Sequence, residues 1–365
     1  MANYLPILKW KRGEMDALRL LFAHDRTQII PLLELLDDTI DPDEPPPVQG
    51  APTAFDRAAA KVLQCWGTAN FFVDADELDV SAPSVPHPVD RLFAACRQIN
   101  LSAIPVTSLN TSAAFLQEVR AIIAADGRGC GVRVDPDDLV DPGFSASLLG
   151  VLGALGVTAG NVDLILDWRE IQPTAGAATS LAVGAIVPAL PHLAHWRSVV
   201  FAASSFPPNL GSAGVGVSTI LRAEWAAYKL LLAQRPGNRS LSFGDYAIAY
   251  PTYTPAPYLG AASIRYAIDG EWLIFRGRTL RGPVYGGFSQ FQQLCAQVIA
   301  HPSYCGNAFS WGDGYIERCG NGQEGTGNLT TWRTVGTNHH LTFVAQQLAN
   351  YHVPLTGTAP PPVGP

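Results

Sequence analysis

The stretch NVDLILDWRE, residues 161–170, sets a short apolar run against a sudden cluster of charge. Leu164, Ile165 and Leu166 are too few for an ordinary helix but suit a buried strand, and Asp167 ends that strand in a carboxylate. Seven further segments look like strands: YLPILKWK (4–11), QIIPLLELL (28–36), NFFVDA (70–75), AIPVTS (103–108), GCGVRVD (129–135), SVVFAASS (198–205) and LSFGDYAI (241–248). Helical periodicity falls between them, at 13–24, 52–65, 88–99, 112–125, 145–155, 177–194 and 218–234. Eight strands alternating with helices predict an α/β chain of (β/α)8 TIM-barrel type. The same alternation permits an open doubly wound sheet, the alternative fold. The barrel is favoured because the count reaches eight and the pattern then changes.

That change sets the expected domains: a barrel over 1–250, an α+β extension over 251–355 packed on it, and a proline-rich tail over 356–365. The extension opens with a hairpin pattern, SIRYAIDGEWLIFRG (263–277). A helix at 289–301, a glycine-rich loop and a final helix near 337–351 follow. The acidic, proline-rich segment DDTIDPDEPPPVQG (37–50) is too poor in apolar residues to pack and is expected to be solvated.

Composition narrows the function. Hydrophobic residues are 47% of the chain and charged ones 15%, which allows a large core. A formal net charge of −7 argues against a dominant nucleic-acid-binding face. No apolar run approaches the roughly 20 residues of a membrane span, and the first residues lack a signal-peptide pattern. The six cysteines show no CxxC pairing, so buried or free thiols are expected rather than structural zinc. Together these features predict a cytoplasmic protein without membrane contact.

Strand side chains alternate in direction, and a barrel's outward set is apolar because it packs under helices. On that rule ILKWK sends Lys9 and Lys11 inward, LLELL sends Glu34, and FFVDAD sends Asp74 with Asp76 after it. GVRVD contributes Arg133 and Asp135, LILDW contributes Asp167, and FGDY contributes Asp245. These charges come late in their strands, at the carboxyl-terminal face where barrel enzymes build their sites. Glu34, Asp74, Asp167 and Asp245 are the expected catalytic residues, as acid–base groups or as ligands of Mg²⁺ or Mn²⁺. Lys9, Lys11, Arg133 and Asp135 are the expected ligand-binding residues, with the cations suited to an anionic small molecule or nucleic acid. The competing possibility is a salt-bridged plug with no ligand at all. A glycine-rich loop running into a helix, SSFPPNLGSAGVGVSTILRAEW (204–225), is a further candidate phosphate site. In GTNHH, His339 and His340 point about 100° apart on a helix, so they do not share one metal; Thr337 or Asn338 is the expected N-cap.

Several stretches together resemble the beta protein family of the phage-satellite gop–beta locus and its bacterial relatives. They are YLPILKWKRGEMDALRLL, IIPLLEL, RAEWAAYKLL followed by SFGDYAIAYP, and TTWRTVGTNHHLTFVAQQLA. The resemblance implies a role in defence against phage, with a protein partner of the defence system to restrain or assist. It assigns no catalytic residues. Two functions follow: a barrel hydrolase or phosphodiesterase, metal-assisted, acting on a phosphorylated ligand or nucleic acid, or a non-catalytic partner protein.

Overall fold

A computed structural model of the chain describes residues 4–36, 51–76, 89–253, 260–282 and 284–352. The expectations for 37–50 and 356–365 lie outside these residues. Eight parallel strands close into a barrel: β1 (Tyr4–Lys9), β2 (Leu32–Glu34), β3 (Phe71–Asp74), β4 (Ala103–Thr107), β5 (Cys130–Val134), β6 (Val162–Glu170), β7 (Ser198–Ser204) and β9 (Ser242–Asp245). Closure is direct, since β1 pairs with β2 on one side and with β9 on the other. An open doubly wound sheet would leave both of its outer strands without that second neighbour.

Two apolar layers result from the strand alternation. Leu8, Leu33, Val73, Val132, Leu164, Leu166, Phe201 and Phe243 point outward under the helices. Leu5, Ile7, Leu32, Phe72, Ile104, Ile165, Val200 and Tyr246 fill the interior. The strands therefore read as near-continuous apolar runs, as parallel strands buried on both faces do. The interior is tight around Gly244. A Cβ there would lie 2.9 Å from the Ala202 side chain and 3.0 Å from the Leu5 carbonyl oxygen, so only glycine fits.

The extension is an antiparallel sheet in the order β10 (Ala261–Ile268), β11 (Glu271–Thr279), β8 (Gly216–Leu221). The expected hairpin is β10–β11. Its third strand is drawn from between β7 and β9, where the sequence pattern predicted part of a helix over 218–234. Only Ala223–Gln234 is helical. Alternating burial along β8 matches a strand covered on one face. The expected phosphate loop is thereby consumed. The first turn of helix Ala223–Gln234 is closed by Ser205, whose hydroxyl accepts from the Ala223 N–H at 2.9 Å, and by the buried carboxylate of Glu224.

Helix Leu329–His352 ties the extension to the barrel. The Thr334 hydroxyl donates to the Gly13 carbonyl at 3.0 Å, and the Asn338 amide donates to the Ala17 carbonyl at 3.1 Å. Thr337 and Asn338 are thus mid-helix, not an N-cap. All six cysteines are free and five are buried. No helix among the described residues is long and apolar enough to cross a membrane.

Candidate active site at the carboxyl end of the barrel

Strand register brings Lys9, Glu34 and Asp74 side by side, because Lys9 aligns with Glu34 and Glu34 with Asp74. Arg133 crosses the barrel to meet them. Its Nη1 donates to Glu34 Oε1 at 2.8 Å and to Asp74 Oδ2 at 2.6 Å. Its Nε and Nη2 lie 2.8 and 2.7 Å from Asp167 Oδ2. Nη2 also donates to the Tyr246 phenol oxygen at 2.6 Å. Tyr246 in turn donates to Asp167 Oδ2 at 2.5 Å. Lys9 pairs with Glu34 and donates to the Pro251 carbonyl at 2.6 Å.

Burial works against the charge of Arg133, yet Tyr246 and the carboxylates of Asp167, Glu34 and Asp74 hold its pKa well above the ordinary arginine value. Burial pushes the Tyr246 phenol far above its usual range, and Asp167 adds to this while Arg133 opposes it. Tyr246 is therefore a neutral donor, and Asp167 an acceptor with no exposed surface. A buried charge persists only when paired and hydrogen-bonded, and every polar atom in this cluster has a partner among its neighbours.

The cluster is not a sealed plug. A cavity of about 160 Å³ opens beside it, lined among others by Lys9, Glu34, Asp74, Asp76, Arg133 and Arg169. Arg169 reaches the rim through an irregularity in β6. Register shifts between Asp167 and Glu170, and Arg169 sits at φ 50° while its N–H donates to Asp167 Oδ1 at 2.9 Å. Ala247, directly after Tyr246, is also left-handed at φ 51°. Non-glycine residues pay about 1–2 kcal/mol for this conformation, and such strain gathers at functional sites.

The predicted residues divide into three groups. Lys9, Glu34, Asp74 and Arg133 line the cavity. Asp167 lies behind Arg133 and holds it in place. Asp245 does not join the network, whereas Asp135 and Lys11 stand at its edge, Asp135 paired with Arg169 at 3.7 Å and Lys11 against Tyr253, which lines the cavity. Lys11 lies beyond the end of β1 at the N-cap of helix Arg12–Arg19, where strand alternation no longer applies, and sits over the Tyr253 ring at 4.2 Å. Asp135 caps the short helix Pro136–Val140, accepting from the N–H groups of Asp137 and Asp138. Asp245 points out of the barrel, where it accepts from the Tyr4 hydroxyl at 2.7 Å and meets His340 Nε2 at 2.7 Å. It shares the face of Phe243, two residues earlier, so the inward residue of FGDY is Tyr246. Tyr246 and Arg169 are the site residues that the sequence pattern missed. The outward Phe243 could have signalled the first by parity, whereas nothing local marks the bulge that delivers the second.

The two histidines also stay away from the barrel mouth. His339 lies between Asp313 and the Ala267 carbonyl in the extension, and His340 reaches the barrel through Asp245. No group of three or more His, Cys, Asp or Glu among the described residues could hold a metal ion. Glu34, Asp74 and Asp167 converge on Arg133 instead, so the donor set does not fit the expected Mg²⁺ or Mn²⁺.

No curated protein matches the chain. Among solved structures it is similar to the triosephosphate isomerase of Bartonella henselae, with 12% identity over 67% of this chain and 92% of that one, at a TM-score of 0.26. At that score the likeness adds nothing to the fold, which the closed eight-stranded barrel establishes by itself. The Beta protein family model matches residues 4–346, nearly the whole described chain. This chain belongs to the Beta protein family.

Proposed function

We propose that the chain is a barrel hydrolase acting on a small phosphorylated ligand or a phosphodiester end, without a metal. One observation carries this: Glu34 stands on the cavity wall between two cations, Lys9 and Arg133, with Arg169 brought to the same cavity by its own left-handed backbone. Lys9 and Arg169 supply donors for phosphoryl oxygens, which guanidinium and ammonium groups recognise well. Glu34 accepts a proton from a water that attacks phosphorus, while Arg133 fixes the Glu34 carboxylate. The P–O bond to the ester oxygen breaks, and that oxygen leaves as the anion and takes a proton from solvent. Asp167 and Tyr246 position Arg133 and touch no substrate. The cavity of about 160 Å³ admits a phosphoryl group with a few attached atoms, so the rest of the ligand lies outside. Service in phage defence is part of this proposal, drawn from the family.

The test is hydrolysis of bis(p-nitrophenyl) phosphate by the purified protein with excess chelator. Turnover is expected to persist with chelator and to fall about 10²–10⁴-fold in Glu34→Gln, the usual contribution of a general base. Absence of turnover, or full turnover in the variant, overturns the hydrolase. A second reading, the non-catalytic defence partner, is favoured by β8. It has one paired neighbour among the described residues and exposes Val217 and Leu221. A folded Glu34→Gln protein that still protects cells from phage would support it.

A further inference from the structure

The opposite end of the barrel contains a larger space. In a filled barrel, layers of bulky branched side chains close the interior from top to bottom. Here the inward positions at the amino-terminal ends of three strands are Asp163 on β6, Ser198 on β7 and Ser242 on β9. Each alternates with interior apolar residues on its own strand, such as Ile165 and Val200, so the direction is set by the pleat. Small and polar, they leave the lowest layer unfilled. The result is a cavity of about 1020 Å³ whose floor includes Leu5, Phe72, Ile104 and Val200. Drug-sized ligands occupy cavities of this order, about 300–1,000 Å³, with an apolar lining and a few polar groups.

The rim is positively charged. Arg128, Arg197 and Arg239 line the cavity, and Asp163 is the one acidic residue among its lining residues. Asp163 is already neutralised: Arg197 Nη2 lies 2.6 Å from its Oδ2, and the Ser198 hydroxyl donates to its Oδ1 at 2.6 Å. Arg239 donates one N–H each to the carbonyls of Leu193 and Trp196, which leaves its charge without a carboxylate. Arg128 is one-third exposed and pairs with Asp126 at 3.9 Å, a carboxylate it shares with Arg97 at 3.7 Å. An anion at this rim would gain from the part-exposed guanidinium of Arg128, and an apolar body would cover the floor.

We propose that the amino-terminal mouth of the barrel is a second binding site, for an amphipathic anion with an aliphatic or aromatic body and a single acidic head. Arg128 holds the head, and Phe72, Ile104 and Val200 receive the body. This site lies at the other end of the barrel from Glu34 and does not depend on the hydrolase proposal.

Calorimetric titration of the full chain with decanoate below its micellar concentration and with decanol below its solubility limit tests the site. Decanoate is expected to bind at least tenfold more tightly than decanol, since a charge-assisted contact at the rim accounts for that ratio. Arg128→Ala is expected to abolish the preference while keeping decanol binding. Ser242→Phe, which places a ring in the cavity, is expected to abolish binding of both, with the circular dichroism spectrum confirming the fold. If Ser242→Phe misfolds, Arg128→Ala alone decides. Failure of either probe to bind the wild-type protein, equal affinity for the two, or an unchanged preference in Arg128→Ala each overturns the proposal.

Discussion

The two mouths of this barrel use similar residues in opposite ways. At the carboxyl end, Arg133 is surrounded by Glu34, Asp74 and Asp167, and the space left is about 160 Å³. At the amino end, Arg239 has only carbonyls, Arg128 has a single long ion pair with Asp126 at 3.9 Å, and the space is about 1020 Å³. The difference lies in what the inward positions of neighbouring strands supply. Where carboxylates align across adjacent strands, a guanidinium becomes a buried scaffold. Where serines and a neutralised aspartate take those places, it becomes a rim charge with room beside it. An arginine in a barrel thus carries no fixed role, and its neighbours across the sheet decide.

The largest predicted effect breaks the carboxyl mouth alone. Asp167→Asn leaves Arg133 buried with one acceptor lost, and removing a partner from a buried ion pair costs about 3–5 kcal/mol. Urea unfolding should show that loss while decanoate binding at the other end is unchanged in the folded protein. Loss of decanoate binding as well would mean that the two ends do not behave independently.

A third charged cluster, at the seam between barrel and extension, provides a contrast with both mouths. Burial pushes Glu224 up to about 7, with Arg222 opposing the rise. A carboxyl whose folded pKa exceeds its unfolded value of about 4.3 binds its proton more tightly when folded. Its contribution is full below the unfolded pKa and is lost as pH rises towards the folded one. Stability should therefore fall between about pH 4.5 and 7, by about 3 kcal/mol relative to Glu224→Gln, and the two should run parallel above that range. Parallel curves throughout would mean that Glu224 is ionised in the folded chain.

The smallest effect sharpens the comparison. Arg169→Gly removes the left-handed strain and one side chain that is 56% exposed, so the protein should gain about 1 kcal/mol in thermal or urea unfolding. Phosphodiester turnover should fall in the same variant. A gain in stability with no loss of turnover would place Arg169 outside the site.

Much of this was legible in residue order. Apolar runs of strand length, spaced by helical periodicity and counted to eight, lead to the closed barrel. The convergence of Lys9, Glu34, Asp74, Arg133 and Asp167 follows from a two-residue period and late placement in each strand. Asp245 shows the limit. A carboxylate is costly beneath a helix, which favours the inward choice, but Tyr4 and His340 satisfy it outside. His340 is 95 residues away in sequence, so no local pattern predicts that partner. Lys11 and Asp135 stand at the edge of the site for a simpler reason: the strands had already ended, and at Asp135 the capping hydrogen bonds of the next helix set the direction.

By itself the sequence determined the barrel and the charged carboxyl end, because side-chain period and apolar burial are local properties that survive without knowing any partner. Only the tertiary structure decided three things: that Tyr246 rather than Asp245 completes the site, that β8 leaves the barrel's helical pattern to extend a second sheet, and that the amino-terminal end is open. Each depends on contacts between residues far apart in sequence, where closure of the barrel and the cost of unpaired buried charge select one arrangement among several that the local pattern allows.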